Sequence, residues 1–417
     1  MKRLKPNPRF LASALLVLVI ACEAPDTRDG HTRTITDSAG IEIVLLNPGG
    51  ASVPHWASSV DPILEIGKLS GDESEEFFRV TGAVLLSTGR IVVGSNGTSE
   101  LRVFDTEGEI LHRFGRDGEG PGEFRDISFL GLLPGDTVVV HDGSLLRVSL
   151  FHPELGFLRS QPFPGPGGAP IQIFGGVLNG ASLVSWSVSK APPQIPGVHI
   201  TSETIGVFDL RTGESTPVAT LRTVEEGLGM DRGRLKRTFP PFGRKGDLVS
   251  ALDHFFVLQS DDDSSIGVFD SSGTLLRIIR IRTPRESTDP QAIAAWIESF
   301  VRQTADGSEE LAASLRRSFE ETPSPDFIPL FRSLEADTGG NVCAERYPHT
   351  VDQPPVFWCF SPDGVFLRII SFNSTPRRSL HPFQDAQLEI GGDYILGVWE
   401  DDLGVEYVRR YRLNPTW

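Results

Sequence analysis

From about residue 40 onward, apolar residues come in short runs separated by turn residues, the pattern of β-strands joined by tight turns. One arrangement recurs: an apolar pair, often followed by Phe-Asp, then a turn holding Gly, then Leu-Arg or its like. It stands as RVFDTEGEILHRF (102–114), SLFHPELGFLRS (149–160), GVFDLRTGES (206–215), GVFDSSGTLLRII (267–279) and FWCFSPDGVFLRII (357–370). The turn glycines are Gly108, Gly156, Gly213, Gly273 and Gly364. A further strand precedes each hairpin: GRIVVGS (89–95), DTVVVHD (136–142), ASLVSWS (181–187), DHFFVLQS (253–260) and GNVCAER (340–346). A last unit, DYILGVWED (393–401) and VEYVRRYRL (405–413), reaches the C-terminus one strand short.

All-β internal repeats of this period indicate a propeller or a β-solenoid. A single sheet leaves its edges and one face exposed; radial packing buries the faces, and closing the ring shields the edges. Six units predict six blades. The segment PILEIGKLSGDESEEFF (62–78) parallels ILHRFGRDGEGPGEF (110–124), so Ile63–Ile66 is expected to supply the missing outer strand and clasp the ring through its termini. Ile41–Leu46 is a further strand with no place in this scheme. The helical exception is a predicted insertion over 286–322, between blades 4 and 5. Within it Ala292, Ile293, Trp296, Ile297, Phe300 and Val301 form an apolar stripe at helical spacing after the cap-and-proline pair Asp289-Pro290. A second helix, over 309–321, carries Leu311, Leu315 and Phe319.

The VFD-x-x-G hairpins, together with Phe114-Gly115-Arg116-Asp117-Gly118-Glu119-Gly120-Pro121-Gly122-Glu123-Phe124, resemble the six-bladed β-propeller lipoproteins of bacterial envelopes, related to NHL-repeat propellers. The resemblance covers roughly residues 40–417. It implies the fold and leaves the activity open, because NHL-type propellers include binding modules and a few lyases.

Position in the cell is written in the N-terminus. Lys2, Arg3, Lys5 and Arg9 precede an apolar run, Phe10–Ala21, that is too short to span a bilayer. The run closes on Val19-Ile20-Ala21-Cys22, which resembles a lipobox; residues 1–21 then read as a lipoprotein signal peptide and Cys22 as the lipidation site. Residues 22–38 read as a polar tether and 39–417 as the propeller. This points to a cell-envelope protein, lipid-anchored, periplasmic or at the outer membrane. The formal net charge is −16, and loss of the four basic leader residues takes it to −20. A charge of that sign argues against a nucleic-acid partner.

In a propeller the connections between strands b and c and those leading into the next blade share one face. Here that face receives the extra sequence: a long loop over 188–203, a connection over 222–246, and the helical insertion. Loops of this length point to a binding surface. Within the 222–246 connection Arg232, Arg234, Lys236, Arg237, Arg244 and Lys245 cluster in an acidic chain. Guanidinium forks suit carboxylate or phosphate, so an anionic small molecule or an envelope protein is the expected partner; a solvated loop paired with the chain's own acids is the alternative. The oxygen-rich turns Asp261-Asp262-Asp263 and Glu400-Asp401-Asp402 lack EF-hand spacing and are read as solvated turns, so no metal is expected. Gly115–Gly122 lacks a following helix and is read as a turn rather than a phosphate loop. Cys343 and Cys359 fall on neighbouring strands, where either a cross-strand disulfide or two buried thiols fits. His141, His254 and His349 are scattered, and Trp56, Trp186, Trp358 and Trp399 read as core. No catalytic motif or cofactor signature stands out. The expected role is a ligand- or protein-binding scaffold acting through the loop-rich face. The alternative is a propeller enzyme, a lyase or metal-dependent lactonase, which requires convergent acids and His at the channel mouth.

Overall fold

The computed structural model describes residues 32–48, 53–68, 76–166, 171–190, 195–231, 233–238, 240–259, 265–305, 307–320, 322, 324–350, 353–377 and 386–416. The leader, Cys22, Arg232 and Asp261–Asp263 lie outside them. The chain is all-β apart from two helices.

Four strands come first: β1 (Thr32–Ser38), β2 (Ile41–Asn47), β3 (His55–Ser58) and β4 (Leu64–Ile66). Antiparallel meanders follow in chain order. One comprises β5 (Val80–Leu85), β6 (Ile91–Ser95), β7 (Glu100–Phe104) and β8 (Ile110–Phe114). The next comprises β9 (Ile127–Leu133), β10 (Thr137–Asp142), β11 (Arg147–His152) and β12 (Gly156–Pro162). Then come β13 (Ile171–Leu178), β14 (Ser182–Lys190), β15 (Gly197–Asp209), β16 (Ser215–Asp231) and β17 (Arg234–Thr238). They are followed by β18 (Asp247–Ala251), β19 (His254–Leu258), β20 (Ile266–Asp270) and β21 (Leu275–Ile281). After β21 the chain forms β22 (Glu286–Ser287), α1 (Pro290–Ala305), α2 (Glu309–Glu320) and β23 (Phe327–Ile328). It closes with β24 (Phe331–Ala336), β25 (Val342–Arg346), β26 (Val356–Phe360) and β27 (Phe366–Ser371), then β28 (Glu389–Ile390), β29 (Tyr394–Glu400) and β30 (Glu406–Thr416).

The recurring hairpins owe their form to one side chain each. Asp105 accepts from the backbone N–H groups of Glu107 and Glu109 at 3.0 and 2.8 Å, and Asp270 from those of Ser272 and Thr274 at 2.9 Å each. Asp209, His152 Nδ1 and Ser361 Oγ do the same in the other copies. Such a turn needs one residue with positive φ, and Gly108 (91°) and Gly273 (87°) supply it. The adjoining aromatic is buried each time, as Phe104, Phe151, Phe208, Phe269 and Phe360. A register shift falls beside Phe104, Phe151, Phe269 and Phe360, so the motif carries a bulge with its turn.

Apart from the cluster around the helices, each core cluster joins two consecutive meanders. Val84, Val92 and Val103 pack on Ile127, Leu130 and Val138; Val139 and Val148 pack on Leu183 and Phe208. The series continues around to the last meander, whose Leu396 and Val398 pack on Val80, Ala83 and Ile91 of the first. First strands also neighbour one another in order, and β29 returns to β5. Antiparallel meanders closed radially in this way form a β-propeller.

The expected terminal clasp is present: β4 pairs antiparallel with β30, Ile66 opposite Val408. The unplaced strand now has its place. β2 pairs parallel with β21 and antiparallel with β1, while β3 sits between β27 and β30. Residues 32–38, expected to belong to the tether, are therefore strand β1; its polar side chains hid a pairing whose partner lies in the next segment. Two expected loops are also corrected. Segments 188–203 and 222–246 lie largely in β14, β15, β16 and β17, whose ladders run well beyond the sheet: Gly197 pairs with Leu228, and Asp231 with Arg234. Cross-strand hydrogen bonds there override the Pro- and charge-rich composition that suggested loops. The insertion also reaches past 322, because β22 pairs with β23 and holds the two stems of the helical hairpin together.

Candidate functional site

The first strands of the meanders, β5, β9, β13, β18, β24 and β28, surround a cavity of about 490 Å³ on the propeller axis. Its polar lining includes Thr81, Ser128, Lys245, Asp247, Asp337, Arg377, Glu389 and Tyr394. Most of these groups already serve the fold. Asp247 accepts from the Leu334 N–H at 2.7 Å. Asp337 holds the turn N–H groups of Gly339 and Asn341 and an ion pair with Arg368 at 3.2 Å. Glu389 accepts from the Leu85 N–H and from the Tyr394 hydroxyl. Burial pushes Glu389 above its ordinary range, while these hydrogen bonds oppose the shift, and burial raises Tyr394 as well. Arg377 donates to Glu406 and to the Val80 carbonyl, tying the last meander to the first. Gln387 bridges inward, donating to the Leu130 carbonyl at 2.7 Å and accepting from its N–H at 3.2 Å.

Beside this cavity His141 is 3% exposed, wedged against Phe163 and Phe174, with Nδ1 2.7 Å from Ser128 Oγ. Burial lowers it to about 4, against the opposing charge of Asp142. Its Nε2 is buried without a partner among the described residues. Bonded to Ser128 through Nδ1 and packed between rings, His141 is part of the core between these strands. His349 is exposed, 3.5 Å from Glu286, and His254 packs beside Phe256. Trp186 and Trp399 are core; Trp56 and Trp358 are only partly buried, each under a guanidinium.

The long strands, the 240–244 turn and the helices meet in one raised assembly. Phe242 is fully buried against Trp296 and Tyr347, and Trp296, Phe300 and Phe319 pack ring on ring. Helix α2 rests on β16 and β17. The apolar stripe read along α1 thus faces inward; on α2 Leu315 and Phe319 are buried with it, whereas Leu311 is exposed. Burial pushes the Tyr347 hydroxyl up, and it donates to the Gly243 carbonyl.

The basic segment is divided by this architecture. Arg234, Lys236 and Arg237 lie on β17. Arg244 turns to Glu225, 3.4 Å away, whose carboxylate also accepts the Arg244 N–H, and Lys245 lines the axial cavity. Asp401 is occupied by its own turn, accepting from Leu403, Val405 and Tyr407. Glu123 likewise seals the glycine loop by accepting from Gly120 and Arg116, while Arg147 takes up its carbonyls. Among the described residues no group of three His, Cys, Asp or Glu stands close enough to hold a metal. Cys343 and Cys359, directly opposed on β25 and β26, are joined by a disulfide. The axial acids went unread because Asp247, Asp337 and Glu389 stand on or beside three strands far apart in the chain, and only ring closure brings them together.

No helix among the described residues is long and apolar enough to cross a membrane. No protein-family model matches the chain, and no curated protein matches it. Among solved structures, a putative exported protein from Bacteroides fragilis is similar with a TM-score of 0.46 and 12% identity, over 90% of this chain and 100% of that one. A gluconolactonase from Xanthomonas campestris gives 0.41 and 10%, over 88% and 99%, and virginiamycin B lyase from Staphylococcus aureus gives 0.40 and 9%, over 86% and 99%. Identities this low transfer no activity.

Proposed function

We propose that this chain is a lipid-anchored, extracytoplasmic six-bladed propeller, with its helical insertion between blades 4 and 5, that binds a ligand or an envelope protein through its raised face. Cys22 carries the lipid and the residues before β1 form the tether. The observation that carries the reading is the convergence in one packed assembly of three departures from the repeat: the extended β14–β17 ladder, the Phe242 turn and the helical hairpin of α1 and α2. The ring closes through its meanders and N-terminal strands without this assembly, so material added to one face is the natural place for recognition. The axial cavity supports catalysis less well, because Asp247, Asp337 and Glu389 are engaged in holding the fold.

Two measurements test this. Labelling with a palmitate analogue should mark the wild type and fail on Cys22→Ser. Native mass spectrometry of protein extracted gently from its own envelope should show a bound molecule or partner that is lost when the helical hairpin is replaced by a short linker between β22 and β23. An unlabelled wild type overturns the anchor. A bare wild-type monomer, or a partner retained without the hairpin, overturns the binding role of this face.

A further inference from the structure

At the foot of the raised assembly, between the β18–β21 and β24–β27 sheets, lies a groove of about 610 Å³. Five guanidinium side chains line it, Arg244, Arg280, Arg282, Arg285 and Arg346; Glu286 is the one carboxylate in the lining, and Arg244 is also paired with Glu225 behind it. In a chain with a formal net charge of −16 this concentration runs against the composition. The arginines come from separate places: the turn before β18, the end of β21 with the stem that follows it, and the end of β25.

We propose that this groove is a binding site for a small soluble polyanion carrying phosphate or carboxylate groups. The inference rests on the reading that this face binds ligands and adds the class of ligand and the residues that hold it.

Three features support it. Two guanidinium groups are pre-oriented by aromatic rings: Arg346 lies 5.1 Å over the Trp358 ring and Arg285 5.6 Å over that of Phe327. A stacked guanidinium keeps its N–H edge in plane, the geometry for bidentate contact with an oxyanion. Next, the Nε of Arg280 is buried with no hydrogen bond among the described residues. Arg277, on the same strand, shows the contrasting case, held by Glu42 at 2.6 Å with the Pro362 carbonyl on its other side. Last, burial disfavours the charged form of Arg346, and Glu286 offsets this only in part. Like charges gathered in a concave, partly desolvated site repel, and a bound polyanion relieves that repulsion.

The test is calorimetric titration of the mature, detergent-extracted chain with pyrophosphate and with citrate at fixed ionic strength. Saturable binding of either is expected, pyrophosphate identifying phosphate and citrate identifying carboxylate as the preferred group. Arg346→Gln and, separately, Arg282→Ala should each weaken binding about tenfold or more. Arg282 is exposed, so its variant should melt like wild type and controls for folding. Arg116→Ala on the glycine loop, exposed and outside the groove lining, should bind like wild type. Failure of both probes to bind, or binding that neither groove variant weakens, overturns the proposal, as does association with phosphatidylglycerol vesicles alone. If an envelope molecule co-purifies equally with wild type and both groove variants, the groove is excluded while the binding role of the face stands. If nothing co-purifies and neither probe binds, both readings fall.

Discussion

At the scale of single residues, the legible parts of this chain are those where one side chain dictates local geometry. Asp105, Asp209 and Asp270 could be read as turn residues because an acceptor just ahead of a glycine satisfies its own turn. His141 could not be read, since its state depends on Phe163, Phe174 and Ser128, brought in from other strands. Of the groove arginines only Arg244 was singled out in the sequence; Arg280, Arg282 and Arg285 lie at the end of a strand and its stem, and Arg346 joins them only through the neighbouring sheet. His141 also makes a pH prediction. An unfolded histidine takes a proton near 6.5, whereas this one resists until about 4. Between those values the unfolded chain binds the extra proton, so stability falls as pH drops through the window and levels off below it. The limiting size is about 3 kcal/mol. Urea titrations at pH 7.5 and 4.5 should show wild type losing about that much more than His141→Gln; equal losses in the two proteins would remove His141 from the account.

Among the elements, strands with a strong repeat were legible, and strands whose partners are irregular were not. The β14–β17 extension holds Pro, Gly and clustered charge, all of which favour loops in isolation. Its ladder exists because β15 and β16 pair over their full length and α2 packs against the result. The disulfide belongs to this scale. Cys343 and Cys359 are both fully buried in the core between the last two meanders, and their bond closes a loop with a sequence separation of 16. Restricting the unfolded chain over that span contributes about 3 kcal/mol. The Cys343→Ala, Cys359→Ala double variant should lose roughly that amount in denaturant unfolding, with the far-UV spectrum of the folded state unchanged. Dithiothreitol should leave the native wild type oxidised until it unfolds, because neither sulfur is exposed. Rapid reduction of the folded protein would contradict that burial.

The whole molecule is closed by its N-terminal strands more extensively than the repeat pattern indicated. The repeat revealed the need for one borrowed strand, since the last unit falls short, and β4 fills it. It did not reveal that β2 caps β21 and β3 bridges β27 to β30, because parallel pairing at an outer edge leaves no mark in a local pattern. One segment of chain therefore covers β21, β27 and β30 in succession and is held by five ladders, counting its own hairpin. Without it, β21, β27 and β30 would each present an open edge, the usual template for aggregation. A protease site placed within 69–75 separates covalent continuity from pairing. After cleavage the two fragments should co-elute as one species under native conditions and part only in denaturant. A chain beginning at residue 76 should instead lose most of its cooperative melt and aggregate. Adding the separate 32–68 peptide during refolding should restore the melt, since the ladders, rather than the link at 69–75, close the ring. Release of the N-terminal fragment immediately after cleavage would show that the closure resides in the meanders alone.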